Sequence, residues 1–319
     1  MKKFLTIIAA TFFALSFFSC GSKIDSSVWL SNLDNGKKAA ARENKRIFLF
    51  FSEDGGDGKS AKLKEKVFNT EEFLKSYTEK YVLVNLDYSD SRTENDSENL
   101  SRDMRLFELY DGAFTPYFLV LSPEGYVMEK LVFEDNADFD TVRIVFNEAE
   151  EAISRFEEEL AKTKKGTKEE RLSAINEIFD NTEPMLSYHL RPLNELYLSL
   201  DKKNDSGQYL KHLIALTYTK ATDYFMDNET ENGCEEFAKL VKDKNLTEDD
   251  KQMALYTAGY LLAQSGSENL EKIRGYFQQA YEVNPESENG KNIKMSLDYV
   301  QTLIDGEGDD SSNKTEENK

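Results

Sequence analysis

The chain has 319 residues, of which 60 are acidic and 40 are basic, so its formal net charge at neutral pH is −20. This surplus of negative charge argues against binding to nucleic acid, whose phosphates need cationic partners, and against docking on anionic lipid by charge alone. The length is sufficient for two domains.

Residues 1–19 have the pattern of an export signal rather than of a folded element. Lys2 and Lys3 precede an apolar run of 16 residues that ends just before Cys20. The run is shorter than the ~20 residues that a membrane-spanning helix needs, and we interpret it as a secretory signal peptide. It resembles a bacterial lipoprotein signal, in which the cysteine takes the lipid and becomes the mature N-terminus. The alternative is an ordinary signal peptide followed by a chance cysteine.

The resemblance to lipoprotein signals has consequences for location and for the cysteines. It implies that Cys20 is lipidated, that residues 20–28 form a tether, and that the protein is held at a bacterial membrane, on the periplasmic side or at the cell surface. Cys234 is then the only other cysteine of the chain, so no internal disulfide can form. We expect Cys234 to be buried and inert, although a helix start close by leaves an activated thiol as an alternative.

Helices and strands alternate in the predicted structure of the first region. Strands separated by helices indicate parallel pairing, and a terminal hairpin adds an antiparallel edge. Ser26 or Ser27 is the expected cap of the first helix. The predicted helices cover residues 26–46, 61–80, 95–111 and 138–162, and the predicted strands cover residues 47–52, 81–89, 116–122 and 126–133.

The pattern changes at TKKGTK, residues 163–168, and no strand is predicted beyond it. Short polar turns separate apolar segments of helical period, which is typical of stacked helical hairpins. The expected helices lie near 168–180, 184–203, 205–227, 232–243, 248–265, 269–283 and 288–304. We therefore predict a helical domain at 168–304 and a disordered acidic tail at 305–319.

Part of this helical domain resembles a tetratricopeptide repeat. Phe277, Ala280 and Pro285 have the spacing of the second half of that repeat. The first half departs from the pattern, because Gly259 and Leu262 fit only if the turn after them is longer than usual. The resemblance implies a stack of helix pairs, an architecture that commonly binds peptide segments.

A glycine-rich, acidic turn follows the first predicted strand in FFSEDGGDGKS, residues 50–60. A phosphate loop needs glycine at the position of Glu53, and three carboxylates beside a triphosphate would oppose its binding. Asp54 and Asp57 are candidate ligands of a hard cation, and a second acidic stretch covers residues 87–98. Neither stretch has the spacing of a calcium-binding EF-hand loop, so metal binding is kept only as an alternative.

The same turn resembles the active-site region of thioredoxin-like proteins of the bacterial envelope. FFSEDGGDGKSAKLKEKVFNTEEF, residues 50–73, has that family's strand, its Phe-Ser pair and its helix ending in Val-Phe. Counted from both ends, the two cysteines of the family's C-x-x-C motif fall on Asp57 and Ser60. FTPYFLVLSPEGYVMEKLVF, residues 114–133, resembles the family's hairpin, with Pro116 at the place of its cis-proline. The resemblance covers about residues 26–162.

The resemblance implies an α/β thioredoxin-like domain at 29–162 with a central mixed sheet, followed by the helical domain. Because an aspartate and a serine replace both cysteines, we expect no thiol–disulfide chemistry at this site, and Asp57 is expected to cap a helix. The resemblance then implies a surface that binds extended peptides. No catalytic residue, cofactor or metal is expected. The expected partners are envelope proteins or peptides, and a thiol–disulfide enzyme that uses Cys234 is the main alternative. The expected binding surface consists of Gly56, Asp57, Gly58, Lys59, Ser60, Thr115 and Pro116.

Overall fold

A computed structural model describes residues 28–53, 58–89 and 97–313 of the chain. Cys20 and the predicted signal peptide lie outside the described residues. In the part of the chain that is described, no helix is both long enough and apolar enough to cross a membrane.

The first region is built on a four-stranded sheet with the strand order β2-β1-β3-β4. Strand β1 pairs in parallel with β2, and β3 pairs antiparallel with both β1 and β4. The sequence predicted the parallel pair and the hairpin, but the expectation of parallel pairing was wrong for β3 and β1. The segment after β2 delivers the chain to the end of the sheet where β1 finishes, so β3 runs in the opposite direction. The strands are β1 (Arg46–Ser52), β2 (Tyr81–Asp87), β3 (Tyr117–Leu121) and β4 (Val127–Leu131).

Helices cover both faces of this sheet. Helix α2 continues directly into a π-helical turn over Lys64–Phe68. The helices are α1 (Leu33–Glu43), α2 (Lys59–Leu63), α3 (Glu71–Tyr77), α4 (Ser97–Leu109) and α5 (Phe139–Lys165).

Helix α1 begins later than the sequence predicted. Its cap is Asn32, whose side chain accepts a hydrogen bond from the Asn35 N–H at 3.0 Å, so the expected cap at Ser26 or Ser27 was wrong. Residues 29–31 lie outside the helix instead, and Leu30 forms an isolated bridge. The Leu30 N–H donates to the Leu83 carbonyl at 2.9 Å, which adds a short bridge to the edge of β2.

Two hydrophobic cores lie on opposite faces of β1, because successive side chains of a strand point to opposite sides. Phe48 and Phe50 enter an aromatic core, in which the rings of Phe50 and Phe118 stack with their centroids 4.6 Å apart. Leu49 and Phe51 enter the second core, between the sheet and the helices α1 and α4. The strand is therefore covered on both faces.

The rest of the described chain is helical. The predicted segments agree with the observed helices to within a few residues, except at the last one. Helix α12 continues to Asn313, so the backbone of 305–313 is helical where disorder was expected, and residues 314–319 lie outside the described residues. Extending an existing helix needs no new nucleation. The helices are α6 (Lys168–Asp180), α7 (Arg191–Leu200), α8 (Tyr209–Met226), α9 (Thr230–Ala238), α10 (Glu248–Gln264), α11 (Leu270–Val283) and α12 (Gly290–Asn313), with 3₁₀ segments at Pro184–Leu190 and Lys239–Lys242.

The residues that suggested a tetratricopeptide repeat lie at the contact between α10 and α11. Phe277 and Ala280 are buried there. A side chain at Gly259 would come within 2.8 Å of the Phe277 ring, so glycine is what allows this close approach. Membership of that repeat family stays a prediction.

The helical region packs directly against the sheet domain through the 3₁₀ segment at Pro184–Leu190. The His189 ring stacks on Tyr110 with a centroid separation of 3.7 Å, and its Nε2 lies 2.9 Å from the Leu109 carbonyl. Leu186 is buried in the core between the sheet and α1 and α4. Burial lowers the pKa of His189 from 6.5 to about 4, so the ring is neutral at neutral pH.

This contact predicts that the protein loses stability as the pH falls from 7 to 5. A histidine whose pKa is about 4 when folded and 6.5 when unfolded contributes stability that is complete above pH 6.5 and is lost as the pH falls toward 4. The expected loss from His189 between pH 7 and 5 is about 2 kcal/mol. Urea unfolding at several pH values measures it.

Buried His212, whose pKa is also lowered to about 4, adds a similar dependence of the unfolding free energy on pH. The test therefore compares how steeply that free energy falls with pH in each variant, not its absolute value. The His189→Gln variant is expected to lose about half of the decline between pH 7 and 5. An unchanged pH slope in that variant would show that His189 does not couple this contact to protonation.

Candidate functional site

Three segments meet at one end of the sheet, where the sequence placed the glycine-rich turn. Strand β1 ends at Ser52 and is followed by Glu53, and helix α2 begins at Lys59. The loop before β3 reaches the same end, because Phe51 of β1 pairs with Tyr117. Of the predicted site residues, Gly58, Lys59, Ser60, Thr115 and Pro116 are described; Gly56 and Asp57 lie outside the described residues. The proposed capping role of Asp57 therefore stays a prediction.

Ser60, which occupies the place of the family's second cysteine, is buried. Only 2% of it is exposed, and its hydroxyl accepts a hydrogen bond from the Glu53 N–H at 3.2 Å. This bond joins the start of α2 to the chain that leaves β1. Ser60 therefore stabilises the contact between the start of α2 and the end of β1. Its buried hydroxyl is not accessible to a binding partner.

Lys59 is exposed at the start of α2. Its ammonium group lies 2.8 Å from the carboxylate of Asp135, and both side chains are more than half exposed. Such an ion pair contributes little to stability because water screens it. Its significance is positional, since it links α2 to the segment that follows β4.

The peptide bond between Thr115 and Pro116 is cis, which confirms the expectation drawn from the family resemblance. Both residues are partly exposed. The Thr115 hydroxyl donates to the Glu53 carboxylate at 3.3 Å, so the proline loop is tied to the end of β1. Glu53 thus contacts both Ser60, through its backbone, and Thr115, through its side chain.

Two exposed apolar side chains flank this loop, and the sequence analysis missed both. Phe114, directly before Thr115, is 83% exposed. Val132 is 81% exposed and follows Leu131, which pairs with Phe118 near the start of β3. The position of Phe114 beside a predicted cis-proline was the signal that could have identified it. We call Lys59, Phe114, Thr115, Pro116 and Val132 the proline-loop surface.

Cys234 lies far along the chain from this surface, in α9. It is fully buried in a helical core whose residues all come from positions after 208. Burial raises the pKa of the Cys234 thiol to about 11, which opposes formation of the nucleophilic thiolate. This matches the expectation of a buried cysteine, while its inertness and the thiol-enzyme alternative both stay predictions.

Neither histidine belongs to a cluster of metal-binding side chains in the described part of the chain. His212 lies between two amides, with Nδ1 2.7 Å from the Asn194 oxygen and Nε2 2.8 Å from the Asn176 oxygen, while His189 packs at the domain contact. Among the described residues, no group of three or more histidine, cysteine, aspartate or glutamate side chains could hold a metal ion. The acidic turn at 54–57 and most of the stretch at 87–98 lie outside those residues.

A second candidate binding surface, which is concave, lies where the helical region meets α4. It is an open groove of about 810 Å³ whose lining is mostly apolar. Apolar grooves with a few polar groups are typical of binding sites. The lining includes Leu109, Pro184, Met185, Ile214, Tyr218 and Met226.

Comparison with known proteins gives matches to two separate parts of the chain. Residues 28–123 match a family model described as "Thioredoxin-like", and residues 207–305 match one described as "Uncharacterised protein C-terminal domain". A solved structure titled "DsbH Oxidoreductase" is 14% identical, with a TM-score of 0.36 over 44% of this chain and 93% of that one. No curated protein matches. The chain therefore carries a domain of the thioredoxin-like family, followed by a helical C-terminal region.

Proposed function

We propose that this protein is an exported lipoprotein, anchored through Cys20 at the cell envelope, whose thioredoxin-like domain binds extended protein segments without thiol–disulfide chemistry. The observation that carries the binding function is Phe114, an aromatic side chain that is 83% exposed and directly precedes the cis Thr115–Pro116 bond. The anchor rests on the signal pattern in residues 1–20.

The proposal that this domain has no thiol–disulfide chemistry is supported by the residues that stand where the family has its two cysteines. Thiol–disulfide exchange needs a thiolate that attacks a disulfide. By the family spacing, Asp57 and Ser60 occupy both cysteine positions, and neither side chain can form a mixed disulfide. The hydroxyl of Ser60 already accepts the Glu53 N–H. Burial raises the pKa of the Cys234 thiol, which opposes formation of the thiolate that the reaction needs.

Peptide binding is supported by the chemistry of the proline-loop surface. Phe114 and Val132 each offer apolar area to a partner, because more than four-fifths of each residue is exposed. Aromatic side chains also dominate the binding energy of protein interfaces. The apolar groove beside α4 supplies a second surface on which a bound chain could continue.

The first test uses an unfolded test protein without disulfides, such as reduced α-lactalbumin alkylated with iodoacetamide. The Phe114→Glu variant is expected to bind it at least tenfold more weakly than the parent, because a hot-spot aromatic contributes about 2 kcal/mol or more. Fluorescence anisotropy of the labelled test protein gives the dissociation constants.

The matched control is Ile144→Glu, which introduces the same charge at an exposed apolar residue of α5, outside both surfaces. It is expected to leave the affinity unchanged. Equal affinity for the parent and Phe114→Glu, or no binding by the parent, would contradict the proposed peptide-binding surface.

A second prediction concerns Ser60 as a structural group. The Ser60→Ala variant removes the acceptor of the Glu53 N–H and is expected to lose about 1 kcal/mol of unfolding free energy. Amide hydrogen exchange at Glu53 should become faster. Urea unfolding and exchange measured by NMR test both effects.

Ser76→Ala serves as the comparison, because the Ser76 hydroxyl donates only to the Glu72 carbonyl within an exposed helix turn. That change is expected to leave the free energy of unfolding within about 0.5 kcal/mol of the parent. If Ser60→Ala is equally neutral and the Glu53 exchange rate is unchanged, Ser60 does not hold the site together.

A further inference from the structure

The 3₁₀ segment at Pro184–Leu190 connects α6 to α7 and lies against the sheet domain. We call it the junction segment. Its hydrogen-bond geometry is poorer than that of an α-helix, so it can open at a lower cost in free energy than the helices beside it. Leu186 and Leu190 are buried, whereas Met185 is 67% exposed. The junction segment is therefore a short element whose order depends on what it contacts.

Leu186 and His189 carry the contact of the junction segment with the sheet domain. Leu186 is buried in the core between the sheet and the helices α1 and α4. The His189 ring lies on the fully buried Tyr110, with 3.7 Å between the ring centroids. Just before the segment, Glu183 binds Lys130 of β4 at 2.5 Å, but water screens this pair because the Glu183 side chain is more than half exposed. Packing of Leu186 and His189 therefore provides most of the stability of this contact.

The geometry at His189 shows which ring nitrogen carries the proton. Nε2 lies 2.9 Å from the carbonyl oxygen of Leu109, and a carbonyl oxygen can only accept a hydrogen bond. The neutral ring therefore donates through Nε2–H, and its Nδ1 is unprotonated. A second proton has to be added at Nδ1, which turns the ring into a cation.

The surroundings of His189 oppose a positive charge on the ring. Lys37 of α1 acts on the ring as a second cation, and burial withdraws the ring from water. Tyr110 covers one face of the ring, and the Tyr188 ring lies edge-on, with the centroids 5.3 Å apart. Among the described residues, no carboxylate forms an ion pair with His189. The acidic side chains of the neighbouring elements are Asp34, which faces Lys37; Asp111 and Glu183, which bind Lys130; and Asp223, which binds Arg191 and the Tyr188 hydroxyl.

The junction segment also forms one wall of the apolar groove beside α4. Pro184, Met185 and Tyr188 line that groove, and so does Leu109, whose carbonyl binds His189. The Tyr188 hydroxyl donates to Asp223 of α8 at 2.6 Å, which joins the segment to the helix that lines the groove with it. Movement of the segment away from the sheet domain therefore changes the groove as well.

We propose that the junction segment is a latch that protonation of His189 releases. The proton added at Nδ1 places a cation against Tyr110 and near Lys37, and the segment leaves the sheet domain and takes one wall of the apolar groove with it. The rest of the helical region stays attached, because α5 and α6 pack through a separate core that contains Leu160 and Ile175. The release is thus a local opening and does not require the domains to unfold.

Amide hydrogen exchange of the purified chain carrying Cys20→Ser, followed by mass spectrometry at pH 7 and pH 5, tests the latch. Protection, corrected for the intrinsic exchange rate at each pH, gives an opening constant for each peptide. His189 has a pKa of about 4 in the closed segment and 6.5 in the open one, so the open form gains protons first as the pH falls. The opening constant of the junction segment is expected to rise about twentyfold from pH 7 to pH 5.

Strand β1 serves as the internal reference, because its residues exchange only when the sheet domain unfolds. The junction segment is expected to have an opening constant about tenfold or more above that of β1 at both pH values. This comparison needs no variant. Equal opening constants in the two peptides would overturn the proposal, since the segment would then open only by global unfolding.

Two histidine variants separate the latch from the general effect of acid. His189→Gln keeps a donor for the Leu109 carbonyl but does not titrate, so the opening constant of its junction segment is expected to stay constant from pH 7 to pH 5. His212→Gln removes the other buried histidine, which lies outside the segment, and is expected to keep the twentyfold rise. A rise that persists in His189→Gln, or one that disappears in His212→Gln, would overturn the assignment to His189.

A third variant tests whether the groove wall moves with the latch. Tyr188→Phe removes the hydrogen bond to Asp223 and is expected to raise the opening constant about fivefold at both pH values, without changing the ratio between them. An opening constant equal to that of the parent would show that this bond survives the opening, and the groove would then not take part in the release.

Discussion

The burial of β1 on both faces is the constraint on which the rest of the first domain depends. Every residue from Ile47 to Ser52 is buried, so the strand is stable only when helices cover both sides of the sheet. Phe48 and Phe50 require the aromatic core on one side, and Leu49 and Phe51 require α1 and α4 on the other. Truncating a buried phenylalanine typically costs about 3–5 kcal/mol, a large part of a domain's stability.

The same strand also determines where the site lies. Its end carries Glu53, which binds the Ser60 hydroxyl through its N–H and the Thr115 hydroxyl through its carboxylate. These two bonds join the start of α2 and the proline loop, the two segments that surround the redox centre in the thioredoxin-like pattern. The site therefore keeps its geometry through hydrogen bonds and core packing, and this does not depend on cysteine.

Most of the fold could be predicted because its periodicities are strong. The apolar run at 47–52 and the helical spacing beyond 168 both gave correct elements. The start of α1 could not be predicted, because serine and asparagine are equally good caps and the choice depends on Leu30 pairing with β2. The direction of β3 depends on the path of the whole chain around the sheet.

The features of the candidate site also divide into those that the sequence predicted and those that it did not. Its position and the cis bond at Pro116 followed from the spacing of a known family. The burial of Ser60 and the exposure of Phe114 did not follow, because residue type does not fix burial: a serine can lie beneath a turn and an aromatic can face water.

The central proposal is that this thioredoxin-like domain has no thiol–disulfide activity. The most direct test is the reduction of insulin by dithiothreitol, followed with and without the purified chain carrying Cys20→Ser, beside the same chain carrying Cys234→Ala as well. We predict that neither accelerates the reduction. Acceleration by the first chain that disappears with Cys234→Ala would contradict the claim, because it would place the buried thiol of the helical region in an active site.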